Sequence, residues 1–88
     1  MSDAQEAKKL SVAHQKWIIQ CLKDNGGKAT YHDVVEEGEK HHCDTVGAML
    51  KVLKGKKAIS YNQMFLMYPM HKDEIITLDN ADYDPEKN

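Results

Sequence analysis

The five histidines and two cysteines of this chain are the residues best suited to metal or covalent chemistry, and their spacing decides whether they can perform it. His41, His42 and Cys43 stand side by side, with Cys21, His32 and His71 elsewhere. Imidazole and thiolate are zinc ligands, but adjacent side chains point apart and no second ligand pair stands at zinc-finger spacing. No metal is expected. Cys43 as a nucleophile would need a base to activate it and a third group to orient that base, and no such arrangement is visible. Gly26 and Gly27 are not a phosphate cradle but a helix stop. At 88 residues the chain is also too small for a deep catalytic cleft, so neither an enzyme nor a cofactor is expected.

What remains is the chemistry of contact. Lys51, Lys54, Lys56 and Lys57 crowd one short stretch, and Met64, Phe65, Leu66, Met67, Tyr68 and Met70 follow almost without interruption. The lysines could dock on an acidic surface, where a charged rim speeds association and fixes orientation, or simply solvate a helix face and blunt a ribbon edge. Pro69 forbids a regular central strand through residues 62–70. Met and aromatic side chains adapt to irregular contacts, so this segment is either a partner surface or a lid folded over a small core. Met64 and Leu66 are expected in the core, and Phe65 and Tyr68 are expected to face a partner.

The elements that must position these residues are legible as periodicities. Leu10, Ala13, Trp17, Ile18, Cys21 and Leu22 repeat at three and four, an amphipathic helix that stops near residues 24–27, with Trp17 as its expected core anchor. Residues 1–9 are polar and are expected to be flexible or at most to extend that helix. Residues 28–30 allow a very short extended segment. Thr30 and Asp33 approximate a capping box for a second helix over residues 31–37, followed by a polar connection at residues 38–42. Val46, Met49, Leu50 and Leu53 then form the apolar stripe of a third helix. Asp44 or Thr45 can cap its start, and Gly55 can end it in the left-handed conformation. Past Gly55 the period falls to two, as in a half-buried strand over residues 58–62. Residues 74–78 are strong strand formers and should pair with residues 59–61. Residues 79–88 turn acidic and contain Pro85, which predicts a disordered tail from about residue 80.

The resulting order is that of a winged helix-turn-helix. The fold class expected is therefore α+β, a winged-helix-like domain over residues 10–79 with three helices and a small antiparallel β-ribbon wing. The runner-up is a plain α+β domain without the helix-turn-helix crossing. The composition, 41% hydrophobic and 30% charged, fits a soluble domain rather than wholesale disorder. No apolar run reaches membrane-span length, and residues 1–10 lack the apolar centre of a signal peptide. A cytosolic or nuclear location, with Cys21 and Cys43 as free packed thiols and no membrane partner, is the expectation.

Val46-Gly47-x-x-Leu50-Lys51, then Lys54-x-Lys56-Lys57-x-Ile59-x-Tyr61, the Met-rich loop, His71 and the closing Asp73-x-Ile75-Ile76-x-Leu78 together resemble the Costars domain. That domain also forms the C-terminal actin-binding part of the striated-muscle activator of Rho signalling. The likeness spans about residues 10–79. It implies a winged-helix-like fold that binds actin, an acidic protein, or an actin regulator in the cytoplasm, as a monomer without catalysis or cofactor. The partner-binding residues this reading selects are Lys51, Lys54, Lys56, Lys57, Tyr61, Phe65 and Tyr68. The alternative is a winged-helix nucleic-acid-binding protein. A net charge of −2 counts against it, as does a third helix whose outward positions include Gly47 and Ala48 and no Arg, Asn or Gln to read a base edge.

Overall fold

A computed structural model describes residues 3–87, with side chains from residue 9 onward. The chain runs α1 (Asp3–Asp24), β1 (Lys28–Thr30), α2 (Tyr31–Lys40), α3 (Val46–Gly55), β2 (Ile59–Ser60), β3 (Ile75–Leu78) and a closing 3-10 turn (Pro85–Lys87). The strands form one antiparallel sheet in the order β1-β3-β2. Ala29 stands opposite Ile76 and Ile59 opposite Leu78. The fold is thus α+β with three helices and a β-ribbon wing, and β1 adds a third strand to the expected pair.

The core follows the sequence stripes closely. Ile18 and Leu22 of α1, Val34 of α2, Leu50 and Leu53 of α3, Ile59 of β2 and Ile76 of β3 are all essentially inaccessible. Each such aliphatic side chain contributes about 1.5–3 kcal/mol by leaving water. Trp17 is not the central anchor. It is only partly buried, because its indole N–H needs a partner and finds His14 Nδ1 at 3.0 Å while its face stacks on His41 at 4.9 Å. Ile18, the next residue, takes the centre.

Helix ends carry most of the departures from the sequence reading. All three helices close with the same pair of hydrogen bonds, one spanning five residues and one spanning three. These are Gly27 N–H to Leu22 O with Gly26 N–H to Lys23 O, Cys43 N–H to Gly38 O with His42 N–H to Glu39 O, and Ala58 N–H to Leu53 O with Lys57 N–H to Lys54 O. This is the Schellman pattern, which requires a left-handed residue just past the helix. Gly26 supplies it for α1, at the expected helix stop, but His42 (φ 54°) and Lys57 (φ 61°) supply it for α2 and α3. Gly55 is therefore the last helical residue of α3 and does not take the left-handed conformation expected of it. Thr30 and Asp33 do form the capping box of α2. At α3 the N-cap is Thr45, but its side chain makes no capping bond.

Gly38 is not part of a polar connection either. α2 runs through it to Lys40, and a Cβ at that position would lie 2.6 Å from Val46 Cγ2 and 3.3 Å from Cys43 O, so glycine lets α2 and α3 meet closely.

At the N-terminal end the chain follows one of the two expected outcomes, and at the C-terminal end it departs from expectation. Residues 3–9 continue α1, and Met1 and Ser2 lie outside the described residues. The segment expected to be an acidic disordered tail instead packs on α1, because Tyr83 and Pro85 offer apolar surface that the acidic composition hides. Pro85 is buried, the Tyr83 hydroxyl donates to Gln15 Oε1 at 3.0 Å, and Lys16 pairs with Glu86. Asn88 lies outside the described residues.

Replacing Lys57 with Gly should raise unfolding free energy by about 1 kcal/mol, since it removes a left-handed side-chain residue. Gly38→Ala should lower it by about 1–2 kcal/mol net, overpacking outweighing the gain in helix propensity. Urea denaturation of both variants checks the pair of signs.

Candidate functional site

The wing, residues 61–74, is where the sequence places unusual apolar mass, and its backbone is held by partners on every side. Lys54 Nζ donates to Tyr61 O at 3.0 Å and Gln63 O at 2.8 Å. Asn62 N–H donates to the Glu74 carboxylate at 2.7 Å across the base of the loop. The returning arm satisfies the start of α2, where Tyr31 N–H reaches Glu74 O and His32 N–H reaches Lys72 O. Those are donors a helix N-terminus otherwise leaves orphaned. At the tip, Met67 and His71 bond reciprocally: His71 N–H to Met67 O at 2.8 Å, and Met67 N–H to His71 Nδ1 at 3.0 Å. The Tyr68 hydroxyl lies 2.7 Å from His32 Nδ1, with the two rings stacked.

With the backbone fixed, the side chains have little choice of direction. Leu66 folds back onto the core, as expected, and its carbonyl passes close over Gly47 of α3. Met64 does not: it is 88% exposed, and Phe65, Met67, Tyr68 and Met70 are exposed with it. The expectation that Met64 joins the core fails: with Lys54 tied to the Tyr61 and Gln63 carbonyls, the loop turns Leu66 inward and Met64 outward.

The four lysines divide by role. Gly47, Lys51 and Lys54 recur at four and three along α3, so they share the stripe that runs beside the loop. Lys54 is committed to the wing carbonyls and lies 4.3 Å from the Tyr61 ring centroid, so its ammonium holds the wing rather than projecting freely outward. Lys51, Lys56 and Lys57 are exposed, and among the described residues no carboxylate pairs with them. Sitting at or just past the last turns of α3, they also complement its negative end.

Tyr61 is misplaced by the sequence reading as a contact residue. It is buried, and its hydroxyl has no hydrogen-bond partner among the described residues. Burial pushes its pKa upward, with Tyr31 adding to the effect; burial alone does so for Tyr31, and burial followed by Asp84 for Tyr83. The Cys21 thiol is also pushed up, by burial first and then by Glu37, Asp33 and Asp24.

The candidate ligands and nucleophiles do not converge. His41 stacks on Trp17, His32 pairs with Glu36, His71 bonds Met67, and Cys21 and Cys43 are buried free thiols. Among the described residues no group of three or more His, Cys, Asp or Glu could hold a metal ion, and no helix is long and apolar enough to cross a membrane. An open groove of about 870 Å³ between α1 and α2 is lined by His14, Trp17, Cys21, Glu37 and His41. The histidine tethers of Tyr68 and Met67 were invisible to sequence reasoning, since no spacing rule links residue 32 to residue 68. In comparisons with known proteins, no family model matches the chain, and neither a curated protein nor a solved structure gives a significant match.

Tyr61→Phe should leave partner binding unchanged and raise stability by about 1 kcal/mol by deleting an unpaired buried hydroxyl. Because Cys21, Tyr31, Tyr61 and Tyr83 are held protonated in the folded chain, their contribution is fully present below about pH 9. It is lost as pH climbs through their raised folded values. Urea midpoints measured across that alkaline range should fall steadily.

Proposed function

We propose that this chain is a small, non-enzymatic cytoskeletal protein that binds actin or an actin regulator through its wing and the basic end of α3. The observation that carries the reading is the wing itself: five large apolar side chains exposed on a backbone pinned at base and tip. A contiguous apolar patch held outward marks an interaction surface, and its prior fixation reduces the ordering cost of binding. Lys51, Lys56 and Lys57 provide a cationic rim suited to an acidic partner such as actin, and the Costars resemblance supports that identity. A surface this small supports modest affinity. A cytoplasmic, cytoskeleton-associated location and a monomeric state follow from the same reading. The nucleic-acid alternative is weaker because, of the exposed α3 positions, Ala48, Val52 and Gly55 carry no hydrogen-bonding side chain and Lys51 alone could reach a base edge.

The test is co-sedimentation with filamentous actin at low and moderate salt, with duplex DNA as the competing ligand. The wild-type chain should pellet with filaments, more weakly as salt rises. Met64→Ser combined with Phe65→Ser should weaken binding by more than about tenfold with circular dichroism unchanged, since two buried apolar contacts are lost. A chain that stays in the supernatant at both salts defeats direct filament binding. A double variant that pellets like the wild type defeats the wing as the contact face.

A further inference from the structure

We infer that His71 is a proton-operated latch on the wing, so that the partner surface is ordered at neutral pH and loosened in acid. The inference rests on the wing being the partner face, but the latch itself stands on the hydrogen-bond geometry. Met67 N–H donates to His71 Nδ1 at 3.0 Å while His71 N–H donates back to Met67 O at 2.8 Å. The first bond uses the Nδ1 lone pair, so the imidazole carries its proton on Nε2. Adding a proton to Nδ1 turns that acceptor into a donor facing another donor, and the reciprocal pair cannot survive. Histidine is the side chain whose charge ordinarily changes between about pH 5 and 8.

The other wing histidine responds differently. His32 places Nδ1 2.7 Å from the Tyr68 hydroxyl and Nε2 2.9 Å from Glu36. Neutral His32 donates from Nε2 and accepts the Tyr68 proton at Nδ1. Protonated His32 donates to both partners, so its tethers hold in either state. Acid therefore leaves Tyr68 fastened to α2 while freeing the turn at Met67. Phe65, which packs edge-to-face on the His71 ring at 6.2 Å, loses its fixed support together with Met67. The ionisable groups around the latch are Lys72, Asp73 and Glu74 on its own arm, His32 and Glu36 across on α2, and Lys54 at the wing base. Among the described residues none of them forms an ion pair with His71, so no charge partner offsets the lost bond.

Uniformly 15N-labelled protein provides a test that needs no partner. A scalar coupling across the hydrogen bond between Met67 nitrogen and His71 Nδ1 is expected in neutral solution and should vanish in acid, with rising fast motion at residues 64–67. His71→Asn offers an amide oxygen in place of Nδ1 that does not titrate, so its wing should stay rigid at both pH values. In filament co-sedimentation the wild type should bind about three- to tenfold more weakly at the lower pH, and His71→Asn should not change. A coupling absent at neutral pH, or persisting in acid, overturns the latch. So does acid loosening retained in His71→Asn, which would assign the effect to another histidine. Absence of filament binding at both pH values overturns the partner reading, and the coupling still decides the latch.

Discussion

The pairing of β3 between β1 and β2 is the constraint from which the remaining architecture follows. Ile76 at its centre has no exposed surface and stands opposite Ala29, far back in the sequence. Neither neighbour could persist alone, since β1 is three residues long and β2 only two. Their stability comes from laying Ala29, Ile59 and Ile76 on one side against Ile18, Leu22, Leu50 and Leu53. Closing so long a loop costs chain entropy that only this shared burial offsets. Once β3 is fixed, the chain that leaves β2 must travel outward and return before it can reach the slot beside β1. The wing is the route it takes.

A loop made this way has to satisfy its own polar backbone, and this one does so with groups the helices leave unused. The N-terminus of α2 donates to the returning arm, and Lys54, in the last turn of α3, donates to the outgoing one. Helix ends and wing therefore stabilise each other. The consequence for function is that Met64, Phe65 and Met67 are held out by a backbone with several independent anchors, where a freer loop would collapse onto the core and hide them. Exposed apolar side chains on a fixed frame are suited to a partner in a way that the same composition on a mobile loop is not.

How much of this the sequence disclosed depends on whether the cause was periodic or tertiary. The α3 stripe, the capping box at Thr30 and Asp33, and the glycine stop after α1 are local rules, and each was legible. Gly38 read as part of a polar connection because its role is set by Val46 and Cys43, which no local window relates to it. Gly55 attracted the left-handed assignment by type, yet Lys57 takes it, because register is fixed by burying Leu53 and Ala58 together. Tyr61 lay in the right pattern for a strand but on the wrong side for a contact, and alternation alone does not say which side is the core. Of the candidate surface, Phe65 and Tyr68 were assigned outward from sequence, and the structure leaves them exposed. Met64 and the division of labour among the lysines needed the fold.

That division bears on how the charges of the whole chain are arranged. An acidic C-terminal segment and a lysine cluster in one small protein would ordinarily find each other, and a free tail could mask the rim. Here the segment leaves β3 beside Ala58, where Asp79 and Asn80 donate to the Ala58 carbonyl, and then runs along α1. Tyr83 meets Gln15 and Glu86 meets Lys16, so a lysine of the first helix neutralises the last carboxylate of the described chain. The apolar seat of Pro85 keeps that contact in place when salt weakens the ion pair. Docking the tail on α1 is consistent with Lys51, Lys56 and Lys57 having no carboxylate partner among the described residues. A chain with a slightly negative total can still present a locally positive face.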